Sequence, residues 1–350
     1  MPGNSAHFLK TLLDVTRLNF IDLSGFVRNV FGFSDSLDGL NPVFFQSGYD
    51  SHLALVNLGV LTGIAILLLA AWLIMFVVQV VLNKLKGTEE KSETKLEPWA
   101  CNFFVRFAYL AFLEFTLCSL INLAKFTNET GSELLSGLYA VLLLVCVVAF
   151  MLFNTALFFI VKVPSTQGNE KTKIPDSETI VSETNRVQTD KSAVQADAEE
   201  IVSTNPEFKV NSRFETAYLG LNTKHKIRST LYPTSFLTRR FLYCLTAVLL
   251  QHRPLAQIIL IGLQSLYMLV ILTKYRPFDD PNFNRLQVFN EACIFVAICH
   301  LYWFTDYVVD YETRFLIGWS LIALVLVCIL VNSGLMLHRA LRTLYYAVLR

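Results

Sequence analysis

One run of the sequence, Leu53–Val81, carries no charged side chain and is wholly apolar from Gly63 to Val78. A hydrocarbon core of about 30 Å requires roughly 20 apolar residues in a helix that crosses it. Such a helix satisfies its own backbone hydrogen bonds, which lipid cannot do. A membrane β-barrel would instead show alternating apolar and polar positions. The run therefore predicts a transmembrane helix.

Six further stretches have a similar character. The second is interrupted by Arg106 and Glu114, and the fourth is short and begins with two arginines. Of the 350 residues, 54% are apolar and 16% are charged, against about 25% charged in soluble domains. This composition excludes a disordered chain and an ordinary cytosolic enzyme, and predicts an all-α membrane protein with about seven transmembrane helices. The seven stretches are Leu53–Val81, Phe103–Leu123, Leu134–Val161, Phe236–Leu250, Leu255–Thr273, Leu286–Thr305 and Phe315–Leu337.

Basic residues are concentrated in alternate loops. The loops between these basic segments hold only Lys125, Arg253 and Arg314. Because cytoplasmic loops carry the excess of Lys and Arg, we predict an extracellular N-terminus and a cytosolic C-terminus. Asn128 begins a glycosylation acceptor triplet in a loop assigned to the outside, which agrees with this orientation. The basic segments hold Lys84, Lys86, Lys91, Lys95; Lys162, Lys171, Lys173, Lys224, Lys226, Arg228, Arg239, Arg240; Lys274, Arg276, Arg285; and His338, Arg339, Arg342, Arg350.

The chain divides into four regions by composition. Residues 1–50 alternate apolar and charged side chains, which predicts an amphipathic extracellular or interfacial segment. Residues 51–163 hold the first three predicted helices. Residues 164–217 are rich in Ser, Thr, Glu, Lys, Gln and Asn, which predicts a disordered cytosolic linker. Residues 218–350 hold the other four helices and an amphipathic C-terminus.

Polar side chains inside the predicted helices are the candidate functional groups, because burying them in lipid is costly. They could line a hydrated path for an ion, a proton or a lipid headgroup. They could instead form hydrogen bonds that fix how the helices pack. We favour packing for the amides and for the histidine, and both interpretations stay open for the two carboxylates. The candidates are Glu114, Asn122, Asn154, Gln264, Glu291 and His300.

The sequence offers no pattern typical of an enzyme. It has no nucleophile elbow and no phosphate-binding loop. No His, Cys and Asp set has the spacing of a zinc site, and all seven cysteines lie within or beside apolar stretches, as packing residues do. We therefore expect no catalysis, no metal and no cofactor. A net charge of +1 gives no reason to expect a nucleic-acid partner.

The second half resembles a known family. Its motif residues come in the order Arg239, Arg240, Tyr275, Arg276, Pro277, Phe278, Glu291, Thr305, Asp306 and Trp319. This order resembles the C-terminal membrane region of TRP-like proteins abundant in ciliates, which are distantly similar to fungal flavin-carrier and polycystin-like proteins. The resemblance covers residues 215–340 well and residues 1–165 loosely. The Cys-rich ectodomain typical of that family has no counterpart in this sequence, so a receptor role is not carried over.

The resemblance implies a channel-like or accessory subunit of an assembly in the plasma or ciliary membrane. Its expected partners are the bilayer and other membrane or extracellular subunits. A non-conducting scaffold that docks an extracellular partner and a lipid-scrambling groove are the alternatives. A continuous polar path through Glu114, Gln264 and Glu291 would favour transport, whereas helices sealed by Leu and Phe would favour a scaffold. A scrambling groove would need Glu114 and Lys125 to face lipid.

Overall fold

The computed structural model confirms an all-α fold for the part of the chain that it describes. Apart from one isolated antiparallel bridge between Leu221 and Phe278, the regular structure there is helical. The described residues are 4–9, 11, 24–33, 40, 44, 49, 51–85, 96–126, 130–160, 215–222, 226–305 and 308–348.

The helices are numbered here in chain order, beginning with the first that follows residue 20. Three are short and seven are long. They are α1 (Ser24–Phe31), α2 (Ala54–Asn57), α3 (Gly59–Leu85), α4 (Leu96–Ala124), α5 (Gly131–Ile160), α6 (Glu215–Tyr218), α7 (Lys226–Leu249), α8 (Pro254–Tyr275), α9 (Pro281–Trp303) and α10 (Tyr311–Val348).

Six helices are long and apolar enough to cross a membrane, namely α3, α4, α5, α8, α9 and α10. The chain is therefore a polytopic membrane protein. The expected fourth stretch lies in α7, which is 24 residues long but less apolar than the others because it carries four basic residues. α7 packs against α4, α5 and α8. It thereby joins the first group of long helices to the second.

The first predicted stretch differs from the structure at its start. The sequence favours one helix from Leu53, whereas α2 ends at Asn57 and α3 begins at Gly59. The Asn57 side chain donates to the Ser51 carbonyl at 2.6 Å, and the backbone N–H of Leu55 donates to the Ser136 hydroxyl at 3.4 Å. α2 is therefore held against α5 and buried in the protein.

Close helix contacts are made by small residues. Ala140 of α5, Cys118 of α4 and Cys244 of α7 are completely buried in one apolar cluster. Small side chains let helix backbones approach each other closely in a membrane. Two of the seven cysteines thus act as packing residues, as their apolar surroundings in the sequence indicate.

Asn4 lies against the start of α10. The Asn4 side chain donates to the Phe315 carbonyl at 3.2 Å, and a Cβ at Gly318 would clash with Asn4. Most of the predicted linker, Asn128 and Asp306 lie outside the described residues. Residues 215–217, at the end of that linker, belong to α6, where the Thr216 N–H donates to the Asn102 side chain at 2.9 Å.

Candidate functional site

Glu291 of α9 is the most buried carboxylate of the predicted site residues, with 6% of its surface exposed. Arg239 of α7 donates from Nη1 to Glu291 Oε2 at 2.6 Å, and Ser265 of α8 donates from Oγ to Oε1 at 2.7 Å. Both carboxylate oxygens therefore accept a hydrogen bond, and one of these bonds is charge-assisted. The cluster ties three helices together.

Further polar side chains join α7 and α8 beside this cluster. Gln264 Nε2 donates to Thr246 Oγ1 at 3.4 Å, and Gln257 Nε2 donates to the carbonyls of Thr246 and Ala247 at 3.3 and 3.1 Å. Gln257 and Gln264 are seven residues apart, so they share a face of α8. The polar seam, as we name it here, consists of Arg239, Thr246, Gln257, Gln264, Ser265 and Glu291.

Glu114 and Asn122 contact the segment that precedes α2. Tyr49 donates from its hydroxyl to Glu114 Oε2 at 2.9 Å. Asn122 Nδ2 donates to the His52 carbonyl at 3.2 Å and to Ser136 Oγ at 3.1 Å. Glu114 and Asn122 of α4 therefore hold Tyr49 and His52 in place ahead of α2.

Asn154 belongs to a separate contact between α4, α5 and α7. Tyr109 donates from its hydroxyl to Asn154 Oδ1 at 2.5 Å. Arg240 Nη1 donates to the Tyr109 carbonyl at 2.8 Å, and its guanidinium lies 4.2 Å from the centre of the Phe236 ring. The two motif arginines thus have different partners, since Arg239 faces α9 and Arg240 faces α4.

Polar side chains of α9 contact polar side chains of α10. His300 Nε2 lies 2.9 Å from Ser320 Oγ, and its Nδ1 lies 2.8 Å from the Val296 carbonyl. The side-chain amides of Asn290 and Asn332 bond each other reciprocally at 3.0 and 2.7 Å. The sequence analysis did not predict this amide pair, although both residues are polar groups within apolar stretches.

The motif Tyr275-Arg276-Pro277-Phe278 forms the turn between α8 and α9. Arg276 has φ 44°, and among the described residues it is the only non-glycine with a positive φ. Its N–H donates to the Leu272 carbonyl at 3.3 Å, which closes α8. Pro277 and Phe278 are buried. The Arg276 side chain is exposed.

Asn284 holds the other end of this turn. Its Oδ1 accepts from the Phe278 N–H at 3.1 Å, and its Nδ2 donates to the carbonyls of Phe278 and Asp280 at 2.6 and 3.3 Å. Gly220, at φ +77°, turns the chain so that its carbonyl accepts from the Asp279 N–H at 3.1 Å. The motif residues here build a folded junction between residues 220–222 and α9.

The remaining motif residues have ordinary local contacts. Thr305 donates from its hydroxyl to the Tyr302 carbonyl at 2.6 Å, at the end of α9. Trp319 is 54% exposed, and its ring meets that of Phe315 edge-on at 6.3 Å. Within the described residues, no three His, Cys, Asp or Glu side chains converge as a metal site would require.

The interface between α4 and α7 holds buried apolar contacts beside the bond from Arg240 to the Tyr109 carbonyl. Phe112 of α4 packs in one cluster with Leu237 of α7, and Ile121 of α4 packs in another with Val248 of α7. Leu237 and Ile121 are each at most 1% exposed. Buried apolar contacts thus make up part of the interface between α4 and α7.

Comparison with known protein families, with characterised proteins and with solved structures found no match. The six long apolar helices define the class of the protein, which is a polytopic all-α membrane protein. The TRP-like relationship stays a prediction that depends on the motif residues named above.

Proposed function

We propose that this protein is a non-conducting, TRP-like membrane subunit that anchors or supports a larger assembly. The observation that carries this proposal is that the six candidate side chains all bond protein groups in neighbouring helices or segments. Interhelical hydrogen bonds of this kind fix helix packing.

The polar seam supports the same conclusion. An ion that crossed it would have to separate Arg239 from Glu291, which are 2.6 Å apart with Glu291 buried. Breaking a buried ion pair leaves an uncompensated charge and costs several kcal/mol. A lipid-scrambling groove would need Glu114 to face lipid. Glu114 Oε2 instead accepts a hydrogen bond from the Tyr49 hydroxyl.

Conduction along the polar seam is the second candidate function. Gln257, Gln264 and Ser265 follow one another along α8 and lead to Glu291, which would be the charged group of such a path. Channels select ions with charged side chains and carbonyls placed at a constriction. In this interpretation the Arg239–Glu291 pair is a closed gate.

Cation flux into liposomes that contain the purified protein distinguishes the two functions. If the protein does not conduct, liposomes with the wild type or with Glu291→Gln should show the same cation flux as protein-free liposomes. Conduction would instead give a cation flux with the wild type and with Glu312→Gln, and none with Glu291→Gln. That result would overturn the non-conducting function. Glu312 is the matched control because it is an exposed carboxylate in the first turn of α10. A flux equal in all three proteins would also contradict the non-conducting function.

We further propose that the N-terminus is extracellular and the C-terminus cytosolic, in a plasma or ciliary membrane. The contact of Asn4 with Phe315 supports a common side for the N-terminus and the start of α10, as the loop charges predict. Other subunits would then dock on this outer side. Epitope tags at the two termini test the orientation, since only the N-terminal tag should be reached by antibody on intact cells.

Glycosylation at Asn128 is tested separately. Treatment with an endoglycosidase should lower the mass of the wild type and leave the mass of Asn128→Gln unchanged.

A further inference from the structure

Two cysteines face each other where α9 packs against α10. Cys293 of α9 and Cys328 of α10 are free, partly buried thiols, and their side chains form a hydrogen bond with each other. Each lies near the middle of its predicted transmembrane stretch. The packing of the two helices therefore brings two thiols into contact within their spanning parts.

The amide pair of α9 and α10 holds this contact in place. Cys328 Sγ donates to Asn290 Oδ1 at 3.6 Å and accepts from Asn332 Nδ2 at 3.6 Å. Asn290 lies one helical turn before Cys293, and Asn332 lies one turn after Cys328, so the amides and the thiols share the facing sides of the two helices. The thiol–amide cluster, as we name it here, consists of Asn290, Cys293, Cys328 and Asn332.

The arrangement favours oxidation that begins at Cys328. The reactive form of a cysteine is the thiolate, and a hydrogen bond donated to the charged form of a group favours that form. Asn332 donates such a bond to the Cys328 sulfur. Cys293 lies beside it in the position of a resolving thiol, which is the usual neighbour of an oxidisable cysteine. Cys118 and Cys244 differ from this pair, because both are completely buried in an apolar cluster.

We propose that an organic hydroperoxide dissolved in the membrane oxidises Cys293 and Cys328 to a reversible disulfide, which joins α9 covalently to α10. Because both thiols lie within spanning helices, the oxidant has to dissolve in lipid, as a hydroperoxide of an acyl chain does. The disulfide would add a covalent link to the contact that the two amides already make. This inference does not depend on whether the protein conducts ions.

The oxidation proceeds in two steps. Cys328 Sγ attacks the terminal oxygen of the hydroperoxide, the O–O bond breaks, and the thiol proton passes to the departing oxygen, which leaves an alcohol and a sulfenic acid. Cys293 Sγ then attacks the Cys328 sulfur, and the S–S bond forms as water leaves with the Cys293 proton. The two thiols lose two electrons, which reduce the hydroperoxide. A reducing thiol reverses the bond by exchange.

Peptide mass after oxidation tests the disulfide on the full-length protein in liposomes. Trypsin cuts at the arginines that bound residues 286–314 and residues 315–339, so the disulfide would join these two peptides. After treatment with cumene hydroperoxide, which dissolves in lipid, we expect the joined peptides in the wild type and their separation by dithiothreitol. Cys293→Ser and Cys328→Ser should both lack the joined peptides.

Cys299→Ser is the matched control. Cys299 lies in the same tryptic peptide as Cys293 and is also a partly buried thiol of α9, so this variant should form the joined peptides as the wild type does. Joined peptides that persist in Cys293→Ser, or that disappear in Cys299→Ser, would overturn the assignment. A wild type that gives no joined peptides would overturn the disulfide itself.

The melting temperature in detergent tests whether the disulfide stabilises the contact between α9 and α10. Oxidation should raise the melting temperature of the wild type and of Cys299→Ser, and dithiothreitol should reverse the rise. Cys328→Ser should melt at the same temperature before and after the treatment. A wild type that forms the joined peptides but melts no higher than its reduced form would contradict this stabilisation.

Discussion

α3 and α7 differ in a way that hydropathy alone does not anticipate. α3 has the most apolar span together with α5, yet no residue from Gly59 to Val78 is buried. α7 is too polar to qualify as a span by composition, yet it packs against three long helices. In lipid, apolar surface does not drive helices together, because acyl chains are equally apolar. Polar and small side chains determine which helices meet.

The largest effect should come from removing the charge of α7 that faces α9. Arg239→Met leaves the buried Glu291 without its cation, and we expect a loss of about 3–5 kcal/mol in unfolding free energy. Denaturation of the purified protein in detergent measures it. Arg285→Met, at an exposed position on α9, is the control and should be nearly neutral. If Arg239→Met proved as stable as this control, the contact between Arg239 and Glu291 would not be what holds α7 in place.

A smaller loss should follow from Asn284→Ala. The substitution removes the side chain that bonds the Phe278 N–H and two carbonyls in the α8–α9 turn. Leaving the buried Phe278 N–H and carbonyl unpaired costs about 1–3 kcal/mol. Melting temperature in detergent measures the loss. Asn282→Ala is the control, since Asn282 is exposed and bonds there through its backbone N–H. Equal melting temperatures for the two variants would remove Asn284 from the account of the turn.

The amide pair between α9 and α10 should contribute less. Asn332→Leu removes the reciprocal bonds with Asn290, and interhelical bonds in membranes average about 0.6 kcal/mol with a maximum near 1.7. The double substitution with Asn290→Leu should cost less than the sum of the single ones, because the second removes a group that is already unpaired. Strictly additive losses would show that the two amides do not interact.

The smallest effect is expected in α3. Leu67 is 70% exposed, so Leu67→Ala should change stability by less than about 0.5 kcal/mol. The same substitution at Leu237 of α7, which is 1% exposed, should cost about 2–5 kcal/mol. Chemical denaturation of both variants under one detergent condition gives the comparison. Equal losses would contradict the contrast between α3 and α7.

The sequence predicted the helices better than their contacts. The apolar stretches in the sequence located the long helices. The partner of Glu291 was not predictable, because several arginines flank the same helices and only the packing of α7 selects Arg239. The break between α2 and α3 was also missed. One of the hydrogen bonds that α2 makes is to Ser136, which is distant in the sequence.

The central claim is that the polar seam is sealed by its own contacts, and the accessibility of Ser265 tests it most directly. Ser265 is completely buried and donates to Glu291. In liposomes, Ser265→Cys should stay unlabelled by a membrane-impermeant maleimide, with modification assigned to position 265 by peptide mass. Glu312→Cys, at an exposed position, should be labelled. Labelling of position 265 at the rate of position 312 would show a water-filled path and contradict the account.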